Sequence, residues 1–387
     1  MAVLVPLLLF ADDLALFSLS HAGLQSQLNI LAEFCQSRGL NVNVNKTKVI
    51  VFSHRHTVCP PFVLGGEEIA RVETFEYLGL FFHETRGLSC GMEQLVASAR
   101  KALFAMLASC RRLHIHDPRL RCKLFDALVR PVLSYACEVW AVTGNTTALK
   151  QLEQVHKTFL RSLLGLPENT TAKFVYAEFG RTPLKHFWWK QCMKYLQRLH
   201  SMEDTRLCKL ALVAACSNNT SWRKGLDQRF AKLDIEPPAL GEEFDPSAAI
   251  AASQSMYTDW TMNPDPDNHK HATYYSLKVH HRFEPYIHEA KNFHLRKLLA
   301  KFRTGSHWLH VQTGRYHNIA YEQRSCPTCS NVLEDETHAI FVCPDYADAR
   351  VKFPDLFECE GSLQAFFTRN PVHRIALYLT ECRALRL

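Results

Sequence analysis

An α+β fold is predicted for this chain of 387 residues, on three features. Short apolar runs flank a polar tip at the start, stretches of helical spacing fill the middle, and a compact Cys/His set stands near the end. The runs Val3-Leu4-Val5-Pro6-Leu7-Leu8-Leu9-Phe10 and Leu14-Ala15-Leu16-Phe17 enclose Ala11-Asp12-Asp13 and read as a hairpin carrying two carboxylates. Leu24, Leu28, Leu31 and Phe34 then recur on one helical face, with Gly39 as a C-terminal stop. Val44 to Phe52 reads as a further strand.

From about Met92 to His200 the spacing predicts helices. Leu95, Ala99, Ala102, Leu103, Met106 and Leu107 make one stripe, and Asp117-Pro118 supplies a cap and first turn before Leu120, Leu124, Phe125 and Leu128. Leu149, Leu152, Val155, Phe159, Leu160 and Leu163 make another, ending near Gly165. Phe187-Trp188-Trp189-Lys190 could stack on bases, but so apolar a cluster reads first as packing. Between Asp234 and His271, Pro237-Pro238, Asp245-Pro246 and Asn263-Pro264-Asp265-Pro266-Asp267 favour a linker. The expected organisation is 1–90, 91–200, 201–275 and 276–387.

The net charge of +7 is concentrated in two places. Arg100, Lys101, Arg111, Arg112, Arg119, Arg121, Lys123 and Arg130 face only Asp117 and Asp126, and nine Lys or Arg between Lys278 and Arg324 face three Glu. Such density suits phosphate-backbone contact, and equally a solvated helical face. Most of the fourteen cysteines are scattered singly, which favours a reducing, intracellular compartment, nucleus or cytoplasm. The apolar start has no basic n-region, so no signal peptide is expected. No run reaches about 18 apolar residues, so neither is a membrane span. Asn145-Thr146-Thr147 then counts as a chance triplet.

Two motifs carry chemistry. Adjacent carboxylates repel unless a cation neutralises them, and Mg²⁺ held by Asp12 and Asp13 would suit a two-metal phosphoryl or nucleotidyl transfer site; the alternative is a solvated turn. Cys326, Cys329, His338 and Cys343 give C-x2-C-x8-H-x4-C. Three thiolates and one imidazole fill a tetrahedral Zn²⁺ shell, so this site is expected to be structural.

Beyond Phe10-Ala11-Asp12-Asp13, an ordered series of blocks runs along the chain: Gly23-Leu24-Gln25; Gly39-Leu40-Asn41-Val42-Asn43 with Asn45-Lys46-Thr47-Lys48; Phe75-Glu76-Tyr77-Leu78-Gly79; Arg130-Pro131-Val132-Leu133-Ser134-Tyr135 with Glu138 and Trp140; and Glu178-Phe179-Gly180-Arg181-Thr182-Pro183-Leu184. In this series the chain resembles the reverse transcriptases of non-LTR (LINE-type) retrotransposons, with Phe10 replacing the more usual Tyr. Phe302-Arg303-Thr304-Gly305-Ser306-His307, Gly314-Arg315, Arg324, Glu334-Asp335-Glu336 and Pro344 flank the Cys/His set.

The resemblance implies a partial reverse transcriptase palm, a mainly α-helical thumb and a small zinc-stabilised C-terminal domain. It implies Asp12 and Asp13 as catalytic Mg²⁺ ligands, Lys46 near the triphosphate as an acid for the leaving pyrophosphate, and Tyr77-Leu78-Gly79 in a hairpin that grips the primer. Lys46 reads otherwise as a solvated lysine, and Tyr77 as an aromatic beside a turn glycine. RNA template and DNA primer would be the partners. Beside the knuckle, Glu334-Asp335-Glu336 disfavours phosphate contact, leaving Arg296, Lys297, Lys301, Arg303, Arg315 and Arg324 as candidates. A third palm aspartate and the fingers are not found in the sequence, so a fragment inactive alone, or active with a complementing polymerase fragment, is expected. The other readings are a non-catalytic zinc-dependent RNA/DNA-binding module and a decayed element without function.

Overall fold

A computed structural model of the chain describes residues 5–53, 59–143, 146–265, 268–358 and 361–386; Val3, Leu4, Asn145, Pro266 and Asp267 lie outside the described residues. The chain mixes α and β, mostly helix with three two-stranded antiparallel sheets among the described residues. It divides into two compact units, each gathered from separate stretches of sequence. One comprises Met1–Ser98, Ser134–Leu152 and Gln191–Ala249, the other Ala99–Leu133, Glu153–Lys190 and Ile250–Leu387.

In the first unit β1 (Leu7–Phe10) and β2 (Asp13–Leu16) form the expected hairpin. Phe10 pairs with Asp13, so Ala11 and Asp12 are the two turn residues. Ala11 has φ +53°, the positive sign that tight hairpin turns require. The helix His21–Ser37 is capped by Ser20, whose hydroxyl accepts from Gly23 N at 3.1 Å, and it stops before Gly39 as its spacing predicts. Gln25 stands in for a strand neighbour: its amide donates to Val63 O at 2.7 Å and accepts from Val63 N at 2.9 Å. Leu28 packs with Val49, Phe62, Leu64 and Ile69 to make the small core of this region.

The strand expected over Val44 to Phe52 does not form. Lys46 N and Thr47 N both bond to Asn43 O, at 3.1 and 3.0 Å, and the Asn43 side chain also accepts from Lys46 N. This local turn chemistry prevails over the β-branched run, leaving only a bridge between Val49 and Arg71. Two hairpins follow, β3 (Phe62–Leu64) with β4 (Glu67–Ile69) and β5 (Thr74–Tyr77) with β6 (Leu80–His83). The β5–β6 turn has φ +49° at Leu78 and +77° at Gly79. Tyr135 closes over it, its hydroxyl donating to Leu78 O at 2.5 Å, and a Cβ on Gly79 would lie 3.3 Å from the Tyr135 ring. Two sequence blocks that are 57 residues apart are therefore one packed feature.

In the second unit the helix Pro118–Leu128 is capped by Asp117, which accepts from Arg119 N at 3.0 Å. The helix Thr146–Leu164, which belongs to this unit from Glu153 onward, ends at Gly165, as expected. Phe125 and Phe159 stack at 4.5 Å, and Trp188 and Trp189 are buried, so the aromatic cluster is packing. Ser247–Met262, in this unit from Ile250 onward, is helical within the stretch of linker-like composition.

The block from Glu178 to Leu184 is a junction of buried polar contacts. Arg181 donates to Asp126 at 3.1 Å. Glu153 accepts from Tyr176 Oη and, at 3.1 Å, from Leu184 N. Gly180 sits at φ +57° with Arg282 so close that a Cβ would meet its carbonyl carbon at 2.6 Å, which only glycine permits. Glu178, fully buried, takes Arg303 Nε at 3.2 Å and Nη2 at 3.0 Å, and Tyr274 Oη at 3.0 Å. Arg303 also reaches Glu284, at 3.2 Å, and Lys278 Nζ meets the same carboxylate at 2.5 Å.

Candidate metal centre and nucleic-acid interface

Asp12 occupies the turn and Asp13 the first position of β2, and both are exposed. Among the described residues, one group of three or more potential metal-ligating side chains comes together, and it is elsewhere. The hairpin therefore presents two carboxylates without a third ligand beside them among the described residues. Lys46 is exposed in the Asn43–Thr47 turn.

The group that does assemble is Cys326, Cys329, His338 and Cys343, whose ligand atoms lie within 4.8 Å of one another. Its geometry follows from local structure. Ser325 bridges Leu333, and Cys326 N donates to Val332 O at 2.7 Å, closing a tight loop through Ser330 (φ +36°) and Asn331 (φ +62°) that presents the first two thiols. Asp335 caps the following turn, accepting from His338 N at 2.7 Å. A wide turn over His338–Val342 brings Cys343 N back to His338 O at 2.8 Å.

Two observations fit a metal here. The Sγ atoms of Cys326 and Cys329 stand 3.7 and 3.9 Å from Cys343 Sγ. A tetrahedron with Zn–S near 2.3 Å has an edge of about 3.8 Å. His338 Nε2 is buried without a hydrogen-bond partner, a costly state that coordination relieves. Burial pushes the Cys343 thiol up to about 12, and a coordinating cation reverses that because it binds the thiolate. Arg350 Nη2 holds Cys343 O at 2.6 Å, orienting the loop from outside.

The acidic triplet beside the knuckle is turned inward. Glu334 accepts from His310 N at 2.6 Å and pairs with Arg386 at 2.8 Å, while Glu336 meets His307 Nε2 at 2.7 Å. Glu334 and Glu336 are buried, so the expected acidic edge is instead the brace of the metal loop.

The basic candidates divide by burial. Arg111 and Arg112 are exposed in the last turn of the helix Ser89–Arg112, where cations suit the helix dipole. Lys297 and Lys301 are half-buried, and burial, with Lys297 and Arg383 nearby, lowers the Lys301 pKa. Arg315 is half-buried and lies over the Tyr316 ring at 4.8 Å. Arg324 braces two carbonyls, Ile319 O at 2.9 Å and Val311 O at 2.8 Å.

Arg296 and Arg303 require a correction. Arg296 is buried, with Nε on Leu163 O at 3.2 Å and Nη1 on Ala290 O at 3.0 Å, and Arg303 is buried between two carboxylates. Neither guanidinium is available to a phosphate. Sequence reasoning missed Lys270, which neighbours Arg315 and Arg324. It lies in the stretch read as a linker, where its charge carried no pattern.

Residues 3–82 match the family described as reverse transcriptase (RNA-dependent DNA polymerase). The chain is 28% identical over 41% of its length to a transposon-derived protein of Caenorhabditis elegans, covering 56% of that protein. It is 21% identical over 53% of its length to the RNA-directed DNA polymerase from the mobile element jockey of Drosophila melanogaster, covering 23% of it. To a 115 kDa protein of the type-1 retrotransposable element R1DM of the same fly it is 23% identical over 88% of its length, covering 31% of that protein. The chain thus spans between about a quarter and just over half of these relatives.

Proposed function

We propose that this chain, related in sequence to the reverse transcriptases of non-LTR retrotransposons, is a nucleic-acid-handling portion of such a polymerase. The observation that carries this reading is the Asp12-Asp13 tip, inside the matched residues and exposed on a two-residue turn. In this reading residues 1–90 are a partial palm, 91–200 a thumb, and 276–387 a basic domain pinned by Zn²⁺ on Cys326, Cys329, His338 and Cys343. The RNA template and DNA primer are its partners, in an intracellular compartment.

Mg²⁺ bound at Asp12 and Asp13 would activate the attacking and leaving oxygens of nucleotidyl transfer. The two carboxylates supply part of such a shell, and Lys46 would stand as the acid for pyrophosphate. Two-metal transfer needs further carboxylate bridging, and among the described residues no third metal-ligating side chain joins the pair. The chain alone is therefore proposed to be inactive, and to gain activity from a polymerase segment that brings the third carboxylate. The alternative, a zinc-dependent RNA/DNA-binding module, keeps the quartet and gives the aspartates no role.

Primer extension on an RNA template, with the chain supplemented by a separately expressed fingers-and-palm segment, tests the proposal. Extension that Asp13→Asn abolishes is expected. Salt-sensitive nucleic-acid binding, with no extension under supplementation and no effect of Asp13→Asn, would favour the binding module.

A further inference from the structure

A cleft in the second unit shares no lining residue with the aspartate pair or the Cys/His quartet. It has a volume of about 410 Å³ and is lined by Lys270, Thr273, Gln312, Arg315, Arg324 and the carboxylate of Asp265, among others. Lys270 belongs to the first turn of the helix His269–Leu277, where the Asn268 side chain caps its backbone N–H at 3.2 Å.

Lys270 Nζ donates at 2.6 Å to a neutral carbonyl, Gly305 O, rather than to a carboxylate. Burial and then the Arg315 guanidinium push the Lys270 ammonium down to about 8, with Glu336 opposing and Arg324 adding to the effect. Glu336 is already engaged by His307. Two buried polar atoms of lining residues are without partners: Arg315 Nε, a donor, and Gln312 Oε1, an acceptor on a residue only 4% exposed. Leaving such groups unpaired is costly, and a small side-chain adjustment toward a ligand offering both acceptor oxygens and a hydroxyl or amine would relieve it. His269 and Tyr321, which also line the cleft, stack at 3.7 Å and offer an aromatic platform.

We infer that this cleft holds one backbone phosphate of a single-stranded nucleic acid, with Lys270 and Arg315 on the phosphate and Gln312 on the adjoining nucleotide. A recess of nucleotide dimensions admits a flexible strand, whereas a duplex presents its phosphates on a convex surface. The inference rests on the nucleic-acid reading above and names the site that reading lacks.

The test uses the full, zinc-loaded chain and fluorescence anisotropy with labelled oligouridylate and oligodeoxythymidylate over a salt series. Arg315→Gln removes one contact, and Thr273→Glu places a carboxylate in the cleft while leaving its basic groups intact. Each is expected to weaken binding on the order of tenfold, with a salt slope shallower by about 0.7 for Arg315→Gln. Equal losses on both strands identify the backbone phosphate, and a loss larger on RNA adds the 2′-hydroxyl as the partner of Gln312. Should Arg315→Gln fail to fold, Thr273→Glu decides. Unchanged affinity for both strands in a folded Thr273→Glu variant overturns the cleft while leaving the nucleic-acid reading intact. Absence of binding by the wild-type chain at low salt overturns that reading, and the cleft with it.

Discussion

Replacing Arg303 with Met separates a structural arginine from a nucleic-acid contact. The guanidinium is 5% exposed, and it makes three bonds of 3.0 to 3.2 Å to Glu178 and Glu284. Met fills the volume but leaves Glu178, with no solvent exposure, holding Tyr274 Oη at 3.0 Å. Lys278 remains nearby, engaged with Glu284. Removing one partner of a buried ion pair costs about 3–5 kcal/mol, because the other charge stays desolvated. Urea denaturation followed by circular dichroism should show a loss of that size in the transition of the second unit. Adding Glu178→Gln to Arg303→Met should recover part of it, since the stranded charge is then gone. Nucleic-acid affinity of the folded variant should be unchanged. A loss below about 1 kcal/mol, the scale of an exposed pair, would refute the reasoning, as would intact stability with lost affinity.

Two further outcomes follow from the same contacts. The purified chain should carry about one equivalent of zinc, and His338→Ala should abolish it and lower the thermal midpoint; unchanged metal content by mass spectrometry would count against the quartet. In Glu178 and Glu336, burial raises the carboxyl pKa but Arg303 and His307 respectively outweigh it, so both folded values lie below the ordinary range. Their contribution is complete above about pH 4.3 and is lost as the pH falls through the depressed folded values. The urea midpoint should therefore fall on acidification below that point, and a rise there would contradict the pairing.

Local features were legible in the sequence. The hairpin around Ala11-Asp12, the helix end before Gly39, the Asp117-Pro118 cap and the stop at Gly165 all depend on neighbours within a few residues, and they appear where spacing placed them. The Cys/His quartet was legible because its ligands span a short stretch of chain. Features set at long range were not. Arg303 looks basic and available until Glu178, 125 residues away, is brought against it. Glu334 and Glu336 look like an acidic edge until His310, Arg386 and His307 turn them inward. Val44 to Phe52 failed for the opposite reason, since Asn43 supplies a turn more local than any strand partner. Several of the ordered blocks that carry the resemblance therefore hold the fold. Gln25 pairs with a backbone, Tyr135 closes a turn, and Glu178 anchors a helix.

The most direct test is templated primer extension by the isolated chain, on an RNA template with a DNA primer, in Mg²⁺ and then Mn²⁺. Asp12 and Asp13 stand exposed, with no third ligating side chain beside them among the described residues. No extension above that of an Asp12→Asn control is the outcome this account predicts. Extension that requires Asp12 would contradict it, and would mean that two carboxylates on a bare hairpin suffice to build the polymerase site.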